Sequence, residues 1–165
     1  MTLRELQRPL KDRYREEPDA AWITLRASGK SATDAMSCSV DIGRAVYAAQ
    51  AHAGVGGMGT AACSGDLLLG ALAACAQLTC QMVAANMGFE DLAVSVEVEG
   101  DLDLRGTLGV PGVAVGFQEI RLRFGLQGYI PADRLEGLKD RTERYCVVLQ
   151  TLVTPSAVQA TWVTS

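Results

Sequence analysis

The longest apolar stretch of the chain lies near its centre, in residues 64–88, SGDLLLGALAACAQLTCQMVAANMG. Its central nineteen positions carry no charge, and leucine and alanine far outnumber β-branched residues, which favours helix over strand. Ser64 is suited to the N-cap of such a helix, and Gly88 to the position that follows its C-cap. We therefore predict a helix over residues 65–87 that is apolar on every side and needs cover on every side.

The segments around this helix alternate between apolar and polar residues with a period of two, as strands with one buried face do. Strands are predicted at 20–28, at two short stretches of 37–51 that turn at Asp41–Gly43, and at 92–101, 115–126 and 157–163. Apolar residues at three- and four-residue steps predict a short helix over 2–17 and a longer one from Pro131 to Pro155. Residues 101–114 are rich in turn residues and predict a connection. This order of elements predicts an α+β fold with mostly antiparallel pairing.

The composition indicates one globular domain, residues 20–165, after an N-terminal extension over residues 1–19. A net charge of −4 gives no electrostatic reason to expect a nucleic acid or an anionic membrane as a partner. The charged extension lacks the apolar core of a signal peptide, so we expect a cytoplasmic protein with reduced thiols. The central apolar run is long enough to span a membrane, but its Ala, Gly and Gln content favours a buried core helix.

Two of the five cysteines lie where thiol chemistry can be considered. Cys75 falls in the middle of the predicted central helix, about 15 Å from its N-terminus, so the helix dipole does not activate it. A thiolate there needs a cation from elsewhere, and a cysteine that simply fills space in the core is the alternative. Cys80 lies about 140° around the same helix, so the two thiols point apart. If the later helix breaks at Cys146, that thiol would lie at a helix N-terminus with a lowered pKa.

The single histidine, His52, precedes a GVGGMG loop. Zinc would need His52 together with three scattered cysteines that show no C-x-x-C spacing. The glycines lack the Lys-Ser/Thr pair and the βαβ setting of a phosphate loop. We therefore expect a flexible connector here, and neither a metal nor another cofactor.

Two stretches resemble the OsmC/Ohr family. Residues 56–79, GGMGTAACSGDLLLGALAACAQLT, are similar to its glycine loop and central helix, and residues 143–152, ERYCVVLQTL, to its C-P-V-x-x-x-L motif. The resemblance implies an OsmC-like fold and an intertwined homodimer with active sites at the subunit interface. It also implies that organic hydroperoxides, alkyl or lipid, are reduced by a peroxidatic Cys75 and a resolving Cys146. An external dithiol would then reduce the disulfide.

The chain departs from the family pattern at several positions. Asp66 stands where the family has a glutamate before LLL, and Val147 stands where it has a proline after the second cysteine. The family's activating arginine comes from near the end of the first strand, where Arg26 is the nearest match. Two other functions therefore remain open. One is a non-enzymatic protein that binds a small apolar ligand at the dimer interface, and the other is a different thiol-dependent conversion of a small apolar substrate.

Overall fold

The computed structural model describes residues 2–31 and 36–164. Within these ranges the helices are α1 (Leu3–Glu16), α2 (Ser64–Asn86), α3 (Leu104–Thr107), α4 (Ala132–Tyr145) and α5 (Val147–Val153). The strands are β1 (Ser28–Ser31), β2 (Ser37–Asp41), β3 (Val46–Gln50), β4 (Ala93–Leu102) and β5 (Phe117–Gln127). Long helices and small sheets confirm the prediction of an α+β fold.

Helix α2 matches the predicted central helix to within one residue at each end. Its first hydrogen bond runs from Leu67 N–H to the Cys63 carbonyl, so Cys63 is the N-cap, and the prediction of Ser64 was wrong by one position. At the other end Gly88 adopts a φ of +90°, and the Phe89 N–H donates to the Ala84 carbonyl. These are the features of a Schellman motif, which needs a left-handed residue that glycine adopts without strain.

The strands form two small sheets. Strands β1, β2 and β3 are antiparallel neighbours in that order, and Cys38 of β2 pairs with Ala49 of β3. The tight turn between β2 and β3 is closed by Asp41, whose carboxylate accepts a 2.7 Å hydrogen bond from Gly43 N–H. Strands β4 and β5 pair with each other. Their cross-strand ion pairs, Arg121–Glu99 and Arg123–Glu97, run in opposite order along the two strands, as antiparallel pairing requires.

Contacts divide the chain into two compact units. One contains the residues up to Gly70 together with Glu97–Arg123, and the other contains Ala71–Val96 together with the residues from Phe124 onward. The second unit has an apolar core in which buried residues of α2 meet Leu92 and Leu138. Its buried members are Cys80, Val83, Ala84, Leu92 and Leu138. The sequence-based division into an extension, 1–19, and one domain, 20–165, stays a prediction.

Two predicted helical features differ from the structure. The segment from Pro131 to Pro155 is not one helix, because α4 ends at Tyr145 and α5 begins at Val147. Cys146 lies between them with an extended backbone, φ −73° and ψ 103°, and its N–H still donates to the Thr142 carbonyl. The connection predicted over 101–114 contains the short helix α3, which Asp103 caps by accepting from the Arg105 N–H.

Two predicted strands are absent from the described parts of the chain. Residues 22–27 and 156–163 have no strand pairing, although both alternate apolar and polar residues. Trp22 is 83% exposed in the first segment, and Trp162 is 92% exposed in the second. A strand forms only where a neighbouring edge can accept its hydrogen bonds, and neither segment has one among residues 2–31 and 36–164.

The single chain also leaves one side of α2 open. Leu78 is 59% exposed and Met82 is 40% exposed, whereas Leu72, Ala76 and Cys80 are buried. By length and composition α2 could cross a membrane, and the core helix of a soluble protein meets the same criteria. The cover that the sequence requires on every side of this helix is therefore incomplete in one copy of the chain.

Candidate active site

The structure places Cys75 of α2 against Cys146, the residue that joins α4 to α5. The two thiols lie within hydrogen-bonding reach of each other, and both are free. Cys75 is half-buried, while Cys146 is fully buried. The break between α4 and α5 turns the backbone N–H groups of Val147 and Val148 toward the Cys75 sulfur. A pair of thiols is thus brought together from positions far apart in the sequence.

The surroundings of Cys75 favour its thiolate. Burial raises the pKa of the Cys75 thiol, but hydrogen bonds outweigh this effect and lower the pKa below its ordinary value. The donors are the Val148 N–H, the Cys146 thiol, the Thr79 hydroxyl and the Val147 N–H. The two N–H groups are available because the first turn of a helix has no intrahelical acceptor for them.

The surroundings of Cys146 favour its protonated thiol instead. Burial raises the pKa of the Cys146 thiol, and a neighbouring Cys75 thiolate raises it further by repulsion and by accepting its hydrogen bond. Hydrogen bonds from the backbone N–H groups of Leu149 and Val148 lower the pKa of Cys146, but they offset only part of the rise. The helix does break at Cys146, but the expectation of a lowered pKa for that thiol was wrong. The pair therefore contains one thiol that ionises readily and one that stays protonated.

The other two predicted site residues both lie in the first unit. Arg26 lies in the exposed segment 22–27 and makes no hydrogen bond or ion pair with any residue in the described ranges. The Asp66 carboxylate accepts a 2.8 Å hydrogen bond from the Cys63 N–H. That bond, with a second one from the Cys63 thiol, holds the Asp66 pKa below its usual value. In this structure Asp66 caps the N-terminus of α2.

The remaining candidates take structural positions. Burial raises the pKa of Cys80, and the adjacent Thr142 hydroxyl offsets only part of that rise. Cys38 is half-buried in β2. His52 Nδ1 accepts a 3.0 Å hydrogen bond from the Gly54 N–H, so this ring nitrogen closes a turn of the glycine-rich loop. Within residues 2–31 and 36–164, no group of His, Cys, Asp and Glu side chains could hold a metal ion.

The family model for OsmC-like proteins matches residues 57–161, which include both cysteines of the pair. The chain belongs to this family. No curated protein matches the sequence.

Solved structures of OsmC-like proteins share this fold. An OsmC-like protein from Mycoplasma pneumoniae matches with a TM-score of 0.64 at 17% identity, over 81% of this chain and 89% of that one. An organic hydroperoxide resistance protein OsmC from Legionella pneumophila matches with a TM-score of 0.58 at 17% identity, over 81% and 92%. An organic hydroperoxide resistance protein from Elizabethkingia anophelis matches with a TM-score of 0.60 at 16% identity, over 82% and 91%. At such identities the likeness concerns the fold.

Sequence reasoning missed three donors in this OsmC-like protein: the Thr79 hydroxyl and the N–H groups of Val147 and Val148. Thr79 follows Cys75 by four residues, and such residues are neighbours on a helix surface, so this donor could have been found. No sequence pattern identifies the two N–H groups as donors, because a backbone amide reaches a thiol that is distant in sequence only where packing brings the two together. These donors, all in the second unit, lower the pKa of the Cys75 thiol, which is the effect expected of a cation.

We predict that Cys75 of this OsmC-like protein reacts with iodoacetamide at a lower pH than an ordinary thiol, whose pKa is about 8.5. Only the thiolate is alkylated, so the rate should reach half its maximum at the pKa of Cys75. Thr79→Val removes one hydroxyl donor and should move the profile to higher pH, whereas Thr107→Val in α3 should not. Mass spectrometry of peptides across a pH series would measure both sites. Alkylation of Cys146 before Cys75, or identical profiles for wild type and Thr79→Val, would contradict the prediction.

Proposed function

We propose that this protein is a cysteine-based peroxidase that reduces organic hydroperoxides and protects against oxidative stress. The observation that carries the proposal is the contact between a Cys75 thiol of lowered pKa and a buried Cys146 thiol that stays protonated. A reactive thiolate beside a second thiol is the arrangement that a peroxidatic and a resolving cysteine need. The hydroperoxide resistance proteins from Legionella pneumophila and Elizabethkingia anophelis have the same fold.

The proposed cycle needs these two thiols and one external reductant. The Cys75 thiolate attacks the distal oxygen of the hydroperoxide, the O–O bond breaks, and the released alkoxide takes up a proton to become an alcohol. Cys75 is then a sulfenic acid. The Cys146 thiol displaces its hydroxyl group, which leaves as water, and a disulfide forms. An external dithiol reduces this disulfide by exchange and restores both thiols.

The surface beside Cys75 favours substrates with an apolar group. At 100° per residue, Leu78 and Met82 lie on the same side of α2 as Cys75. Both side chains are exposed in the single chain, at 59% and 40%. An alkyl or lipid hydroperoxide could bury its hydrocarbon part there, while hydrogen peroxide has nothing to bury.

We further propose that a second copy of the chain covers this side of α2. One copy leaves the apolar face open and leaves the segments 22–27 and 156–163 without a strand partner among the described residues. Exposed apolar faces and unpaired extended segments are typical of interfaces between copies. In such a homodimer the Arg26 of a second copy is the candidate for the cation that stabilises the Cys75 thiolate further.

The decisive experiment measures how many free thiols each chain loses when it is treated with a hydroperoxide. Reduced protein treated with one equivalent of cumene hydroperoxide should lose two thiols per chain, and peptide mapping should find a single disulfide between Cys75 and Cys146. Cys146→Ser should instead lose one thiol and give a sulfenic acid on Cys75 that dimedone traps. A Cys75 that stays reduced, or a disulfide that joins other cysteines, would exclude the proposed cycle.

A second function is favoured by a specific observation, namely that no cation of the described residues is among the groups that shift the pKa of Cys75. With Asp66 used as a helix cap, the described part of the chain gives Cys75 no charged partner. A protein that binds a small apolar ligand at the dimer interface without converting it needs no charged partner for Cys75. In the thiol experiment such a protein would bind cumene hydroperoxide and leave Cys75 reduced.

The remaining parts of the proposal rest on the sequence. We expect a cytoplasmic protein, since its thiols must return to the reduced state in each cycle. The absence of a nucleic acid or membrane partner stays a prediction from the net charge and the composition.

A further inference from the structure

The two sulfurs of the thiol pair differ in how far solvent reaches them. Cys146 is 0% exposed, whereas Cys75 is half-buried. The thiols are already within hydrogen-bonding reach of each other, so the sulfurs need only a small shift to reach the disulfide distance of about 2 Å. A shift of this size does not bring a fully buried side chain to the surface. The difference in access between the two sulfurs therefore persists in the disulfide.

Cys75 lies at the border between a covered and an open part of α2. At 100° per residue, Leu72 and Thr79 lie about 40–60° to one side of it, and both are buried. Leu78 and Met82 lie about 20–60° to its other side, and both are exposed. The fully buried partner thiol lies toward the covered side. The Cys75 sulfur is therefore open on the side that faces away from its partner.

Thiol–disulfide exchange requires access along the disulfide bond. The incoming thiolate, the sulfur that it attacks and the sulfur that leaves lie close to one line, so the rate depends on access from the side opposite to the leaving sulfur. For the Cys75 sulfur this is the open side of α2. For the Cys146 sulfur it is the interior of the second unit, where the residue has no exposed surface. In the proposed homodimer a hydroperoxide must also reach Cys75, and a path that admits it admits a small thiol.

The pKa values of the two thiols favour the opposite choice, but more weakly. Attack on Cys75 releases Cys146, whose pKa is raised by burial, and a thiol of higher pKa leaves more slowly. This effect changes the rate by roughly a few-fold per pKa unit, whereas burial of a sulfur blocks the approach of a thiolate. Hydrogen bonds from the Leu149 and Val148 N–H groups also assist the release of Cys146 as a thiolate. Access therefore has the larger effect on which sulfur is attacked.

We propose that the external reductant attacks the sulfur of Cys75, so that the mixed disulfide forms there and not on Cys146. This inference rests on the proposed peroxidase cycle. A thiolate of the reductant bonds to the Cys75 sulfur as the Cys75–Cys146 bond breaks, and Cys146 leaves as a thiolate that takes up a proton from solvent. The second thiolate of the dithiol then attacks the reductant's own sulfur, which closes the oxidised reductant and releases Cys75 as a thiolate. The hydrogen bonds from Val147, Val148 and Thr79 stabilise this last leaving group.

The test maps the mixed disulfide that a monothiol forms with the oxidised protein. Diamide, which oxidises two thiols without peroxide, prepares the Cys75–Cys146 disulfide, and an excess of 2-mercaptoethanol is then added briefly. Acid stops the exchange, the excess thiol is removed, and free thiols are labelled with N-ethylmaleimide before peptide mapping by mass spectrometry. At early times mercaptoethanol should be attached to Cys75 at least about tenfold more often than to Cys146.

The control is the same oxidised protein in guanidinium chloride, once its other three cysteines have been alkylated. Unfolding exposes both sulfurs, so mercaptoethanol should divide between Cys75 and Cys146 within about threefold. The proposal is overturned if the folded protein carries mercaptoethanol mainly on Cys146 or shows the same division as the unfolded protein. It is also overturned if diamide does not join the two cysteines.

Treatment with cumene hydroperoxide in place of diamide separates this inference from the peroxidase cycle. If the hydroperoxide leaves both thiols reduced while the diamide-treated protein gives the mixed disulfide on Cys75, the peroxidase cycle is excluded and the assignment of the attacked sulfur is supported. If the hydroperoxide forms the disulfide and mercaptoethanol then attaches to Cys146, the cycle is supported and the assignment is wrong.

Discussion

Replacing Cys75 with serine is expected to reduce the rate of cumene hydroperoxide reduction by at least about a thousandfold, because the remaining Cys146 thiol is buried, and burial raises its pKa and keeps it protonated. Serine keeps the size of the side chain but does not ionise near neutral pH. Cys146→Ser should stop turnover through the disulfide while still allowing one oxidation of Cys75 per chain. Steady-state assays with dithiothreitol as the reductant would measure both effects.

The matched control for these variants is Cys38→Ser in β2, which changes another half-buried thiol. Its turnover should stay within about twofold of wild type, since surface and peripheral substitutions usually have small effects. If Cys75→Ser turned over peroxide as fast as Cys38→Ser, the peroxidatic role of Cys75 would be excluded. Binding of cumene hydroperoxide without turnover in wild type would point to the non-enzymatic alternative.

Introducing a charge at Leu78 is expected to abolish the folded protein. In a single chain this side chain is 59% exposed, so Leu78→Glu would cost little if the monomer were the native state. In the proposed homodimer the same position is buried in an apolar interface, which we expect to exceed about 2,000 Å² in total. An unpaired carboxylate there costs several kcal/mol, roughly the whole stability of a domain.

Leu108→Glu is the control for this prediction, because Leu108 is 61% exposed and lies outside α2. Sedimentation should give a dimer for wild type and for Leu108→Glu, with a thermal midpoint that rises with protein concentration. Leu78→Glu should yield unfolded or aggregated protein at every concentration. A folded, monomeric wild type at micromolar concentration, or a Leu78→Glu variant of normal stability, would refute the dimer and with it the interfacial site.

The proposed role of Arg26 depends on the same assembly. Its segment is exposed and has no strand pairing with the described residues of one chain. If a second copy pairs with this segment, the guanidinium becomes ordered, and a cation near Cys75 would add to the hydrogen bonds that already lower its pKa. The lowered pKa in the single chain thus does not require Arg26.

Local sequence determined the regular elements that depend on near neighbours. The bounds of α2 follow from an uncharged run, a capping region around Cys63 and the left-handed Gly88, all of which act within one or two helical turns. Strands β4 and β5 follow from their alternation. The two cysteines of the pair were identified by motifs that surround each of them separately, although nothing in either motif places one thiol near the other.

Tertiary structure decided the features that join distant parts of the chain. The break at Cys146 turns two backbone N–H groups toward a sulfur that lies about seventy residues earlier, and this depends on how α4 and α5 pack against α2. For the segments 20–28 and 157–163, by contrast, the local pattern predicted strands and the structure differs. Alternation specifies an extended backbone, but a strand also needs a free edge beside it, and sequence pattern carries no information on where that edge is.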